Sequence, residues 1–384
     1  MIKVVTVIGT RPEIIKLSQI IKLFDENLDH VLVHTGQNYD YELNEIFFKE
    51  LSVRKPDYFL SINTSTLGKS LGDIISKTEE ILIKENPDAL LVLGDTNSSL
   101  STIIAKRMKI PIYHMEAGNR SFDSNIPEEI NRRLVDHISD FNLVFTEHAR
   151  RHLLSEGLNH RFIYLVGSPM REVLESMLNK ITESKIIEEL GLEIKKYFLV
   201  SIHREENVDN PDSLNSIIEY LLELKIRYDL PIIISTHPRT KDRIKKLKLG
   251  DHIERKLSFL KPFGFIDYNK LQINSFCTIS DSGTISEESS ILDFPAVSLR
   301  ESIERPEALD TGTISLTGSG LEDFLTAIKI ATLNGNSVLA NEREIPKDYM
   351  IKNVSERVLK LIAGTAKLSN KWKNIDKYSR YDWQ

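Results

Sequence analysis

At 384 residues the chain is too long for most single cores and predicts two domains. Hydrophobic residues at 41% and charged residues at 28% are globular proportions, and no apolar run reaches the length of a bilayer span. A formal charge of −6 leaves no overall basic face for nucleic acid or an anionic membrane, so a strongly anionic ligand has to be met by local cations.

The first predicted element is the apolar run "VVTVIG", a strand that stops at Gly9. The helical pattern that follows carries Arg11, Pro12 and Lys16. A helix start already attracts anions through its free N–H groups, and two added cations there imply an anion larger than a carboxylate. Further strand patterns are "HVLVHTG", "ALLVLGDT", "IPIYHMEAG", "FNLVFTEH" and "FIYLVGS". A second set comprises "YFLVSIH", "LPIIIST", "FCTISDSG" and "FPAVSLR". Helical period fills Leu67 to Asn86, Glu128 to Ser139 and Ser213 to Tyr228. Continuous apolar strands separated by helices predict parallel sheets covered on both faces.

Residues 168–196 are charged and lack a strand pattern, which places the domain break there. The expected architecture is α/β: two doubly wound Rossmann-like domains, residues 1–180 and 181–364, with an active-site cleft between them. The polar, aromatic tail 365–384 either packs back on the first domain or is loose. The single cysteine, Cys277, sits among apolar neighbours and reads as a buried structural thiol. With no intrachain disulfide available and no leader pattern before the first strand, the expected compartment is the cytoplasm.

Polar groups recur where the apolar runs end: Arg11, Gln37, Asp95, Glu116, His203, His237, Asp281 and Ser282. The carboxyl edge of a parallel sheet is where ligands bind. "CTISDSGTISEESSIL" reads strand, turn, helix, with Ser282, Gly283 and Thr284 forming a phosphate cradle. The competing reading is a capping box from Thr284 to Glu287. Glu288 either accepts from two ribose hydroxyls or is an acid favoured in a first turn. Arg305 either clamps a diphosphate or pairs with Glu301 or Glu304. Glu128 and Arg132, four apart, are either an exposed ion pair or part of a site with Asp95 and Glu116. Converging carboxylates raise one another's proton affinity, which suits acid/base work. No cluster has metal-ligand spacing, so neither a metal nor a cofactor is expected.

The ordered motifs "GTRPEIIK", "GDT", "MEAG", "PEEINRR", "HREEN", "SDSG-x-x-x-EE" and "ERPEA" resemble those of the non-hydrolysing UDP-N-acetylglucosamine 2-epimerases, over about residues 3–335. The resemblance implies the GT-B fold, a homodimer, and inversion at C2 of a UDP-linked N-acetyl amino sugar without a nicotinamide cofactor. By matching motif, Arg11 and Lys16 resemble the diphosphate side of the site. Asp95, Glu116 and Glu128 resemble the acid/base carboxylates, with Arg132 and His203 beside them. Ser282, Gly283, Thr284 and Glu288 resemble the phosphate and ribose ligands, Arg305 a diphosphate contact, and Tyr268 the aromatic beside uracil. Two departures stand out. Thr284 replaces the usual second glycine of the cradle. No arginine occurs in "NTSTLGKSLGDI", where many relatives use one to bind a second, activating UDP-sugar, although Gln37 and His237 remain. The sequence therefore predicts activity without that activator.

"MEAGNRSFDSNIPEEINRR", "SIHREENVDN", "STHPRTKDRI" and "KPFGFIDYNKLQ" resemble a branch that makes UDP-N-acetyl-L-fucosamine from a 6-deoxy-L-talose precursor for capsule and O-antigen. The C2 proton is weakly acidic until UDP leaves C1, so inversion is expected to run through anti elimination to 2-acetamidoglucal and re-addition. The rivals are a hydrolysing epimerase, a GT-B glycosyltransferase and a UDP-sugar sensor.

Overall fold

The computed structural model describes residues 1–36, 41–247, 253, 256–318, 320–333 and 344–375; Gln37 and the tail from residue 376 lie outside the described residues. The chain forms two compact units: Met1–Ser176 with the described residues from Lys347 onward, and Met177–Pro346. The break falls inside the helix Met170–Glu183, and the chain re-enters the first unit at Lys347, upstream of residue 365.

Each unit carries one sheet. The first holds β1 (Lys3–Ile8), β2 (Asp29–His34), β3 (Tyr58–Phe59), β4 (Ala89–Leu93), β5 (Ile112–Met115), β6 (Phe141–Val144) and β7 (Ile163–Leu165), in the order β3-β2-β1-β4-β5-β6-β7. The second holds β8 (Phe198–Ser201), β9 (Ile232–Ser235), β10 (Ser258–Leu260), β11 (Cys277–Ser280), β12 (Ala296–Ser298) and β13 (Ser315–Leu316), in the order β10-β9-β8-β11-β12-β13. Neighbouring strands are parallel throughout. Two Rossmann-like units in tandem are the GT-B class expected. Every apolar run read as a strand is one. The strands not foreseen are β3, β10 and β13, each two or three residues long.

Helices cover the sheets because their apolar stripes and the strands' side chains need each other. All of β4 is buried. Val5, Val7, Val31, Val33, Leu90 and Val92 share a layer with Ile74 and Leu82 of the helix Leu67–Glu85. In the second unit Phe198, Val200, Ile234 and Ile279 pack on Leu214, Ile218 and Leu221 of the helix Pro211–Tyr228. Cys277 lies in that layer, fully buried. Proline opens this helix and Asn210 caps it, its side chain accepting from Asp212 N at 2.9 Å. The returning helix Val354–Trp372 lies against the helix Arg11–Asn27. Tyr113, at the centre of β5, meets Thr365 of that helix, hydroxyl to hydroxyl, at 2.7 Å. Among the described residues no helix is long and apolar enough to cross a membrane.

The strand order reverses twice, between β1 and β4 and between β8 and β11. At such a switch point the loops leave in opposite directions and open a crevice at the strands' carboxyl ends. Arg11 and Asp95 follow β1 and β4; His203 and Asp281 follow β8 and β11. The fold thus delivers four of the expected polar residues to its two switch points.

Gly9, between β1 and its helix, has no room for a side chain. A β-carbon there would lie 2.0 Å from Ser98 Oγ and 2.3 Å from Thr35 Oγ1, buried hydroxyls bonded to each other at 2.8 Å. Gly9→Ala is expected to lower the free energy of unfolding by about 1–3 kcal/mol in urea titration. A loss below about 0.5 kcal/mol would mean that the hydroxyls move aside freely.

Candidate active site

In the first unit the site is built on the turn after β1. Thr10 is the residue before the helix, and Glu13, three residues on, folds back over the turn. Glu13 Oε2 accepts from Gly9 N at 2.5 Å and Thr10 N at 2.7 Å, and its Oε1 accepts from Thr96 Oγ1 at 2.6 Å. It therefore ties the Arg11 turn to the loop that carries Asp95. Burial pushes this carboxyl up to about 7, outweighing the hydrogen bonds to Thr96, Gly9 and Thr10 that favour its ionised form. Arg11 follows as the first helical residue, its guanidinium 5.8 Å from the Phe47 ring.

One turn later Lys16 points inward and is buried. Its Nζ lies 2.7 Å from Glu116 Oε2 and 5.4 Å from the Phe145 ring. Glu116, directly after β5, has φ of +63°, a conformation that glutamate seldom adopts. Such a backbone costs on the order of 1–3 kcal/mol and marks functional sites when the surroundings enforce it. Asp95 follows β4, the neighbouring strand. Arg132 binds Asp95 Oδ2 through Nε at 3.0 Å and Nη2 at 2.5 Å, and Glu129 Oε2 through Nη1 at 3.0 Å. Glu129 also accepts from Ser121 N and Oγ. The exposed-pair reading therefore fails for Arg132, which is buried against Asp95 and Glu129, while Glu128 stands exposed on the first turn of the helix Pro127–Ile138.

In the second unit Asp281 is the anchor. It is fully buried and accepts from His203 N, Arg204 N and Asn207 Nδ2 at 2.9–3.1 Å. His203 Nδ1 lies 3.0 Å from Asp281 Oδ1, and the ring is half exposed. Burial opposes the charge of Asp281, but His203 and the N–H donors prevail and hold the carboxyl at about 2. The ring of His237 stands 6.3 Å from that of His203.

The cradle follows β11. The capping box is not formed: Thr284 makes no side-chain cap bond to the helix Ile285–Leu292, and its hydroxyl lies 3.0 Å from that of Ser282. Gly283 is required by a close approach, since a β-carbon there would lie 2.6 Å from Arg305 Nη1 and 3.9 Å from Arg204 Nη2. Two guanidinium groups thus meet at this turn. Arg305 donates to Gly283 O at 2.8 Å and pairs with Glu287 at 3.3 Å. Glu304 is held by Arg300 and Arg204. Glu288 is buried, and its Oε2 accepts from Gln272 Nε2 at 2.7 Å. Tyr268, on the helix Phe265–Asn274, has its hydroxyl proton held more firmly than usual by burial and by the nearby Glu288.

The first sheet's edge therefore brings together Arg11, Lys16, Asp95, Glu116 and Arg132. The second sheet's edge brings together His203, Ser282, Gly283, Thr284 and Arg305, with Tyr268 and Glu288 at its side. Sequence reasoning missed Glu13, Glu129 and Arg204. Thr10-x-x-Glu13 does carry a capping-box signature, and Arg204 adjoins His203 in "HREEN". Among the described residues no His, Cys, Asp and Glu group is arranged to hold a metal ion.

Glu13 gives a pH signature. A carboxyl that ionises near 4.3 in the unfolded chain and near 7 when folded contributes stability that is complete below about pH 4 and lost as pH rises through 7. Glu13→Gln removes that titration. The stability of wild type relative to Glu13→Gln, from urea titrations, is expected to fall by about 3 kcal/mol between pH 4 and pH 8. A pH-independent difference would show that Glu13 titrates normally.

The family profile for UDP-N-acetylglucosamine 2-epimerase matches residues 22–363. The solved UDP-N-acetylglucosamine 2-epimerase from Rickettsia bellii is 48% identical, the match covering 97% of this chain and 98% of that one at a TM-score of 0.87. The Methanocaldococcus jannaschii UDP-GlcNAc 2-epimerase, solved in complex with UDP-GlcNAc and UDP, is 36% identical over 94% of this chain and 100% of its own, also at 0.87. UDP-2,3-diacetamido-2,3-dideoxy-D-glucuronate 2-epimerase of Pseudomonas aeruginosa is 36% identical over 323 residues, 83% of this chain and 88% of its own. With sequence and fold matched over nearly its whole length, the protein belongs to the UDP-N-acetylglucosamine 2-epimerase family of isomerases.

Proposed function

We propose that the protein inverts C2 of a UDP-linked 2-acetamido sugar, without hydrolysing it, by anti elimination of UDP and re-addition across 2-acetamidoglucal. The observation that carries this reading is the pair of carboxylates on neighbouring strand ends, Asp95 and Glu116, each held by its own buried cation, Arg132 and Lys16. In elimination a base takes the C2 proton, C1=C2 forms, and the C1–O electron pair leaves on the diphosphate. In re-addition a proton reaches C2 from the opposite face and the diphosphate oxygen re-bonds to C1. The sequence needs an acid/base group for each face and cations for the departing charge.

Glu116, Asp95 and Glu128 are the acid/base groups. Lys16 and Arg132 fix the positions of the carboxylates they touch. In the second unit Ser282, Gly283, Thr284 and Arg305 take the diphosphate, Glu288 the ribose hydroxyls and Tyr268 uracil; in the first unit Arg11 is the residue assigned to diphosphate. His203, held by Asp281, is assigned a catalytic role beside these groups. The relatives' names support the substrate class, because their sugars differ at C3 and C6 and share the 2-acetamido group. UDP-N-acetylglucosamine is the first substrate to test. The second is UDP-2-acetamido-2,6-dideoxy-L-talose, giving UDP-N-acetyl-L-fucosamine, which the four branch-like stretches favour. The enzyme would act as a cytoplasmic homodimer supplying capsule or O-antigen synthesis.

Product made in D₂O is expected to carry deuterium at C2 by NMR, with traces of UDP and 2-acetamidoglucal escaping on long incubation. Glu116→Gln is expected to lower kcat by about 10²–10⁴. Product that keeps its C2 proton rules the mechanism out, and stoichiometric free sugar points to hydrolysis instead. Glu288→Ala is expected to weaken UDP binding by roughly ten- to a hundredfold in calorimetric titration. An unchanged titration removes Glu288 from the ribose.

A further inference from the structure

Beneath the ends of β4 and β5 lies a cluster of charged side chains that takes no part in the steps above. Asp136, His114 and Arg120 are at most 1% exposed. Asp136 lies on the helix Pro127–Ile138, four residues beyond Arg132 and eight beyond Glu128, so the three share one face. Its two carboxylate oxygens each receive Gly118 N at 3.2 Å, two residues after Glu116. Oδ1 also lies 2.9 Å from His114 Nδ1, though not aligned with it as a hydrogen bond. The other ring nitrogen, Nε2, donates to Gly94 O at 2.8 Å, one residue before Asp95. Arg120 Nη1 donates to Asp136 Oδ2 and to Asn119 O, both at 2.7 Å. The rest of its fork binds Glu156, on which His137 also converges at 3.0 Å.

Stability alone does not account for this cluster, because well-packed apolar residues commonly replace a buried ion pair at no loss. What the cluster touches does account for it. Gly94, Glu116 and Gly118 all have positive φ, at +72°, +63° and +82°. Glycine adopts such backbone readily, but glutamate does not, and Glu116 keeps it only where its surroundings fix it.

We propose that Asp136 is a positioning residue: holding Gly118 directly and Gly94 through His114, it fixes the backbone beside both Glu116 and Asp95 and so sets where C2 loses and regains its proton. The inference rests on the assignment of Glu116 and Asp95 as acid/base groups. It assigns to the helix Pro127–Ile138 a stripe in which Glu128 reacts, Arg132 holds Asp95, and Asp136 aims Glu116 and Asp95.

The test compares purified wild type and Asp136→Asn, with rates expressed per folded molecule. Asp136→Asn is expected to lower kcat by about tenfold to a thousandfold while KM stays within about threefold, since misaimed groups slow the chemistry and leave substrate binding intact. UDP affinity is expected to be unchanged, and more 2-acetamidoglucal to escape per turnover. A role confined to stability would lower the melting temperature and leave kcat per folded molecule and glycal escape as in wild type; that result overturns the proposal. Should Asp136→Asn not fold, His114→Phe carries the test, because it removes the donor to Gly94 and the contact with Asp136 Oδ1 and keeps the Arg120–Asp136 pair. A kcat loss in His114→Phe, partly restored in His114→Gln whose amide can donate, supports the proposal; equal activity of the two variants overturns it. Wild type that keeps its C2 proton in D₂O refutes the reaction itself and is seen before any variant is made.

Discussion

Lys16 reaches from the helix after β1 to the end of β5 and sets its ammonium nitrogen 2.7 Å from Glu116. At an effective dielectric of about 20 that attraction is roughly 6 kcal/mol. Taking the two ions out of water costs several kcal/mol each. The terms nearly cancel, so the pair adds little to stability, and its effect is to fix the Glu116 carboxylate at the strand end. Much of the first unit follows from that constraint. The helix has to start where Glu13 fixes it, because Lys16 lies one turn on. β5 has to lie beside β4, because Asp95 meets its own cation there.

The second unit meets the opposite charge problem by the same means. Arg204 and Arg305 converge on Gly283, and like-charged guanidiniums at one turn repel unless acids stand behind them. Glu304 and Glu287 occupy those places, and Arg300 braces Glu304 in turn. Asp281 below draws the chain after β8 onto the end of β11 by accepting from His203 and Arg204. Each sheet therefore concentrates charge at its switch point and neutralises it locally, which leaves the overall charge of −6 uninformative about the ligand.

How much of this was legible in the sequence depended on distance along the chain. Long apolar strands announced themselves; β3, β10 and β13 did not, because two or three residues at a sheet edge carry no period. Residues at strand ends, such as Asp95 and Glu116, could be placed, since a strand's length fixes where it stops. Their counter-ions could not: Lys16 and Glu116 are one hundred positions apart and meet only through sheet order. Helix phase hid a further distinction, with Glu129 turned inward and its neighbour Glu128 outward. The capping-box pattern was ambiguous for a local reason. It occurs at Thr10 and at Thr284, but only at the first does the glutamate close back on the turn, whereas Thr284 spends its hydroxyl on Ser282. Nothing in the runs around them marks His114, inside β5, or Asp136, late in its helix, as partners, because they are 22 positions apart and meet only in the fold.

The late return of the chain to the first unit sets an order on its birth at the ribosome. Tyr113 and Phe141, stacked at 4.5 Å, belong to strands made early, but Thr365 and Trp372, which meet them, are translated after the whole of Met177–Pro346. At about 5–20 residues per second that intervening stretch takes roughly ten to thirty seconds to emerge. Throughout that time the nascent first sheet has one flank bare of its helix, while the second unit, continuous in sequence, can fold as it appears. The sheet that bears Asp95 and Glu116 is therefore begun first and completed last.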